Sequence, residues 1–187
     1  QLVEGITIYE NIFDETISGS ISLKDTTNIL QNGPIVGQEK LFLKLATPQS
    51  SPNEDTIIDY TKTPLDIYKI NMQYGVNESA TMISLDFTTP EIHRNSISRI
   101  SQSYRGQPHE IVRKILRDPN YLNSTTRFFY EETSNLMKMV VPNIKPLDAI
   151  MNLSIRSNSK KFSQSPTYIF YETTKGFHFR SIDGLCS

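Results

Sequence analysis

Residues 17–25 read ISGSISLKD. Ile17, Ile21 and Leu23 fall on one side of an extended chain, with Gly19 between them. Ser18, Ser20, Ser22 and Lys24 fall on the other. Period-two alternation of this kind predicts a strand with one buried face. The pattern recurs on both sides of it in the first ninety residues. EKLFLKLAT (39–47) repeats it with Leu41, Leu43 and Leu45, and TMISLDF (81–87) with Ile83, Leu85 and Phe87. GITIYENI (5–12) and PLDIYKINMQY (64–74) supply two more strands. QNGPIVGQE (31–39), punctuated by Gly33-Pro34 and Gly37, reads as a connection, and ATPQSSPNEDT (46–56) as a polar loop. Five or more strands with short turns predict an antiparallel barrel or sandwich.

The pattern changes after Thr89-Pro90. QPHEIVRKILRDP (107–119) opens a helix with Pro108, where the missing N–H costs nothing. Ile111, Val112, Ile115 and Leu116 form its apolar stripe, Glu110 stands four residues before Lys114, and Asp118-Pro119 stops it. KPLDAIMNLSIRS (145–157) repeats the device with Pro146, and Leu147, Ile150, Met151 and Ile155 are expected on its core face. TRFFYEE (126–132) and LMKMVVP (136–142) read as strands. SPTYIFYE (165–172) and KGFHFRSI (175–182) read as a hairpin joined at Thr173-Thr174. The chain is therefore expected to be mainly β, with an antiparallel barrel over residues 1–90 and an α+β part over residues 91–187.

Composition narrows the function classes. The chain has 187 residues, 37% hydrophobic and 21% charged, which is ordinary globular material. No apolar run approaches the ~18 residues of a membrane span, and no membrane partner is expected. The sequence begins with Gln1 and shows no signal peptide, so it is expected to be processed or cut from a longer chain. A single cysteine, Cys186, rules out an intramolecular disulfide and a cysteine metal cluster. Residues 1–90 carry five Lys against twelve Asp/Glu, a net of −7; residues 91–187 carry fourteen Lys/Arg against eight Asp/Glu, a net of +6. Such an asymmetry suits a nucleic-acid surface on the basic half, or copies that pack with unlike halves together.

KGFHFRSI (175–182) is close to the RNA-binding octamer, in which alternate aromatics stack on bases. MVVPNI (139–144), the helix after it and the hairpin at 166–182 follow in the order such a domain needs. Against this, Val140 stands where the first strand needs an aromatic, and His178, Arg180 and Ile182 replace the small, Val and last aromatic positions. An RNA- or single-strand-binding module with Phe177 and Phe179 as stacking residues is thus the alternative reading.

Other chemistries find no footing. His93, His109 and His178 have no paired ligand spacing, GPIVGQE lacks the Lys-Ser/Thr of a phosphate loop, and no G-x-S-x-G elbow precedes a helix. Asn77-Glu-Ser, Asn123-Ser-Thr and Asn152-Leu-Ser match the glycosylation pattern, as chance allows in a chain rich in Asn, Ser and Thr. No catalytic, cofactor-binding or metal-binding residue is assigned, no cofactor is expected, and the chain is not expected to be an enzyme.

Longer phrases point elsewhere. YENIFDETISGSISLKDT, NGPIVGQEKLFLKL, IYKI, FTTPE, SQSYRGQPHEIVRKIL, VVPNIKPLDAIMNLS and PTYIFYETTKGFHFRSID occur in this order. In that order the chain resembles the central baseplate hub proteins of contractile-tailed, T-even-like bacteriophages. The resemblance implies barrel domains related to the tail-tube protein. It implies a homotrimeric ring on the tail axis, joined to the tube above and the central spike below and bordered by other baseplate proteins, with DNA in transit through it. It also implies a location in the virion, after assembly in the host cytoplasm, and a structural role with no catalytic residues. Members of this family are longer, so residues 91–187 are expected to form an incomplete second barrel.

Overall fold

A computed structural model describes residues 2–26, 33, 36–46, 57–77, 80–162 and 166–187. The chain divides into two compact units, one of residues 1–9 and 17–90, the other of residues 10–16 and 91–187.

In the first unit, β1 (Leu2–Tyr9), β2 (Ser18–Asp25), β3 (Lys40–Leu41), β6 (Leu65–Asn77) and β7 (Ala80–Thr88) form an antiparallel sheet in the order β1-β2-β7-β6-β3. A small ribbon pairs β4 (Lys44–Ala46) with β5 (Ile57–Asp59). The sheet is curled into a half-barrel. Its curl has a visible cause: β6 breaks register three times and β1 once, and each bulge sharpens the local twist. Ile17, Ile21, Leu65, Ile67, Ile83, Leu85 and Phe87 pack together as the core of this unit. Ile21 lies opposite Ile6 on one side and Leu85 on the other, so the predicted alternation places three strands' apolar residues in one layer. Gly19 is required at its position. It faces Phe87 across the ladder, and a Cβ there would stand 2.4 Å from the ring.

EKLFLKLAT keeps its alternation, with Leu43 buried and Phe42 exposed, but does not form one strand. Leu41 pairs with Leu65 and Leu45 with Ile58, so the run divides between two sheets. The described end of the 31–39 connection is a turn held by one carboxylate. Glu39 accepts the N–H groups of Val36, Gly37 and Gln38 at 2.8–3.0 Å, and these bonds, that from Val36 foremost, lower its pKa. Almost all of the 46–56 loop lies outside the described residues, as do two residues of the Asn77 sequon.

The second unit contains α1 (Pro90–Ile97), β8 (Ile100–Gly106), α2 (Pro108–Arg117), β9 (Phe128–Tyr130), β10 (Met137–Ile144), α3 (Pro146–Ser154), β11 (Tyr168–Thr173), β12 (Gly176–Ser181) and α4 (Ile182–Cys186). β8 and β10 form an antiparallel ribbon; β11, β12 and β9 form a second sheet in which β9 runs parallel to β12. The stripe Ile111, Val112, Ile115 and Leu116 is fully buried, and α2 packs against α3. Glu110 accepts the Gln107 N–H at 3.4 Å, capping the helix rather than pairing with Lys114. Leu147 and Ile150 are buried as expected, but Ile155 is 73% exposed. Ile155 keeps helical backbone angles (φ −62°, ψ −24°), but the buried arc of α3 runs through Pro146, Ala149, Ile150 and Leu153, and at about 100° per residue Ile155 falls on the opposite side.

Three elements were not legible in the sequence: α1, β8 and α4. α1 supplies a cap to another helix. Pro146 has no N–H and Lys145 gives no side-chain cap, so the Asn95 carboxamide oxygen accepts the Leu147 N–H at 2.9 Å. The hairpin turn falls on Thr174 and Lys175, one residue later than expected. Gly176 follows with φ +138°, and a Cβ there would meet the Arg127 carbonyl.

Candidate assembly surfaces

The residues proposed to stack on bases are in the core. Phe177 and Phe179 are both 0% exposed. Phe177 stacks on Phe170 at 5.4 Å between centroids, and Phe179 lies 4.9 Å from Tyr168. This overturns the RNA reading of KGFHFRSI: no base can reach these faces without unfolding the sheet. The octamer-like alternation arose because β12 buries one face, and Phe fills it.

The opposite face of that sheet is half-buried, with Tyr171 covered and Phe129, His178 and Arg180 partly so. His178 lies between Phe129 and Tyr171, at 4.9 Å from each ring, and its Nε2 lies 3.0 Å from the Thr173 hydroxyl. Burial, helped by the nearby Arg180, depresses its pKa to about 4, so the imidazole is neutral at pH 7. Its Nδ1 is buried without a hydrogen-bond partner. The Glu10 carboxylate reaches the same hairpin and accepts the Thr174 N–H.

His109 is also occupied by structure. Its Nδ1 accepts the Thr133 N–H at 3.1 Å and contacts the Thr133 hydroxyl at 2.9 Å. Its ring stacks on Tyr130 at 5.0 Å, with the Arg113 guanidinium 4.8 Å over that ring. Desolvation lowers its pKa. His93 is exposed on α1, and among the described residues no three His, Cys, Asp or Glu converge as a metal site.

The polar cluster that sequence spacing could not reveal is centred on Glu131. Its carboxylate accepts the Ser181 hydroxyl at 2.7 Å, the Ser181 N–H at 3.1 Å and the Ser159 hydroxyl. Burial pushes the Glu131 pKa up, but these donors outweigh it and the net shift is downward. Ser181 also caps α4 by accepting the Gly184 N–H at 3.1 Å. The donors come from residues 28 and 50 positions away, so no local motif announces them. This arrangement joins three segments of one unit.

What remains on the surface suits contact with other chains. β1 ends its sheet and β10 ends its ribbon, and each has an unpaired edge among the described residues. Val3 and Tyr9 on β1, Val140 on β10, and Ile155 after α3 are exposed apolar side chains. The charge asymmetry is smaller than the halves suggested. Residues 10–16 belong to the second unit and carry Glu10, Asp14 and Glu15, which changes the balance from −7 and +6 to −4 and +3.

No family model and no curated protein matches the sequence. Solved structures do match the fold. The 43 kDa tail protein of prophage MuSo2 from Shewanella oneidensis superposes with a TM-score of 0.55 at 9% identity, over 94% of this chain and 49% of its own. The E. coli c3393 protein is a component of the type VI secretion system described as structurally similar to the T4 bacteriophage tail proteins gp27 and gp5. It superposes with a TM-score of 0.52 at 12% identity, over 96% of this chain and 48% of its own. The chain thus spans about half the length of either neighbour, and its mainly β fold is that of phage-tail and tail-related proteins.

Proposed function

We propose that this chain is a structural part of a phage-type tail baseplate, acting in a central hub. In this reading copies form a homotrimeric ring on the tail axis. The ring joins the tail tube to the central spike, contacts other baseplate proteins, and leaves a passage for DNA. Residues 1–90 act as the tube-related domain and residues 91–187 as the second hub domain, and the chain resides in the virion and catalyses no reaction. The observation that carries the reading is the fold shared with tail proteins across at least 94% of the chain, through both units. The buried polar side chains agree with it: Glu131, His109 and Asn95 are engaged in holding elements together.

Electron microscopy of the source particle with a tagged chain tests this directly. Density on the tail axis at the tube–spike junction is the expected result. Density on the tail periphery, or absence from the particle, refutes the hub assignment. Light scattering of the purified chain should also show a trimer whose mass falls as salt rises, because unlike-charged units attract across a head-to-tail contact.

A further inference from the structure

We infer that the free edge of β10 receives β1 of a second copy, extending the β8–β10 ribbon across the subunit boundary; this rests on the ring reading above. The acceptor is a groove of about 260 Å³ lined by Met139, Val140, Val141, Ile144, Asn152 and Arg156. Consecutive residues of one strand line it together with α3, so it follows the strand edge. A groove of that form suits an extended chain, which supplies main-chain hydrogen bonds and alternate side chains. Pro142, which lacks an N–H, and the bulge at Asn143 (φ +54°) close one end, leaving residues 137–141 as the pairing stretch.

The charges select the occupant. Lys138 stands opposite Arg105 in the ladder, an unfavourable like-charge pair on the solvent face, and Arg156 stands at the groove. α3 contributes one acid, Asp148, and Glu110 stands beside Gly106 opposite Met137, so the three cations Lys138, Arg105 and Arg156 face two acids. The incoming strand should be apolar, free at one edge, and acidic. β1 meets all three conditions: it has eight residues, an unpaired edge, exposed Val3 and Tyr9, and Glu4 as its sole charge. The other long free edge among the described residues, β8, carries Arg105, and six-residue β11 is mostly buried. β1 has no Lys or Pro and is eight residues long, and beyond the bulge at Glu4 its residues 5–9 run in unbroken register, so that stretch keeps a regular edge.

Two experiments on the full chain test the pairing. In a Cys186→Ser background, copies bearing Val140→Cys are mixed with copies bearing Val3→Cys or Thr7→Cys and oxidised. A mixed disulfide between the two kinds of copy supports the pairing; only like-with-like dimers, or none, overturn it. In sedimentation experiments at low salt, Glu4→Lys and Lys138→Glu should each weaken self-association roughly two- to fivefold, and the double swap should restore it. Unchanged association in the single variants, failure of the double variant to recover, or a wild-type chain that stays monomeric overturns the pairing. The six substituted positions are on the surface, and circular dichroism checks that each variant is folded. Microscopy separates the two ideas. Axial density without the mixed disulfide defeats this contact alone, whereas the disulfide without axial density defeats the hub reading alone.

Discussion

Gly19→Ala offers a sharp test of the first unit's packing. The added methyl carbon would lie 2.4 Å from Phe87 Cζ, 2.7 Å from Phe87 Cε2 and 2.4 Å from the Thr7 carbonyl oxygen. Carbon atoms pack at about 3.5–4.0 Å, so the ring must retreat by more than 1 Å. Phe87 is fully buried among Ile17, Ile67 and Leu85 and has no space to move into. The Thr7 oxygen is main chain, held by the β1–β2 ladder at Thr7 and Ser20. Overpacking costs ~1–3 kcal/mol where side chains can adjust, and the fixed carbonyl places this site at or above the upper end. We expect the urea midpoint of the first unit to fall by the equivalent of about 3 kcal/mol, with lost amide protection in β2 and β7. Gly5→Ala is the control, because nothing lies within 4 Å of its added Cβ; it should be neutral or stabilising by up to ~1 kcal/mol. Adding Phe87→Leu to Gly19→Ala should recover only part of the loss, since the carbonyl contact remains. If Gly19→Ala and Gly5→Ala unfold at the same urea concentration, the account of this packing is wrong.

Glu131→Gln should destabilise the second unit by about 1–3 kcal/mol by weakening the bonds from Ser159 and Ser181. Because the folded pKa of Glu131 is lowered, its contribution is present above the unfolded carboxylate pKa and is lost on acidification, so the variant should show a flatter acid limb in urea midpoint against pH. His178 has its folded pKa depressed from 6.5 to about 4. The unfolded chain therefore binds the extra proton first, and stability should fall as pH drops from about 6.5 towards 4. NMR titration should find a neutral ring down to that pH, and His178→Phe, which keeps the stack, should remove this part of the slope. Asn95→Ala leaves the Leu147 N–H without its acceptor and should cost about 1–3 kcal/mol, with α3 amides exchanging faster in hydrogen-exchange mass spectrometry.

Residues whose role follows from periodicity were readable in advance. Ile21, Leu85 and Phe87 alternate and are buried, and the α2 stripe is buried as a set. Pro108 and Pro146 open their helices as expected. Ile155 misled because the apolar stripe was phased wrongly: the buried arc of α3 centres on Ile150 and Leu153, and Ile155 falls opposite it. KGFHFRSI misled in a more instructive way. Alternating Phe is demanded equally by a base-stacking platform and by a packed strand, and only the layer against that face distinguishes them. Here α3 packs against the sheet, Phe177 and Phe179 share one core with Leu147, Ile150 and Leu153, and the face is closed.

The amino-acid sequence by itself determined the class of most segments, α1, β8 and α4 excepted: strands where apolar residues recur at period two, helices where they recur at the helical period behind a proline. Those are local consequences of backbone geometry and of hiding one face from water. Only the tertiary structure decided which residues met. Glu131 acquired its donors from Ser159 and Ser181, Asn95 its place at the start of α3, and His178 its aromatic neighbours. The edges of β1 and β10 were left open in the same way, because pairing is settled by the ladder as a whole. Such contacts join residues dozens of positions apart, so their energies depend on the fold and leave no short-range mark in the sequence.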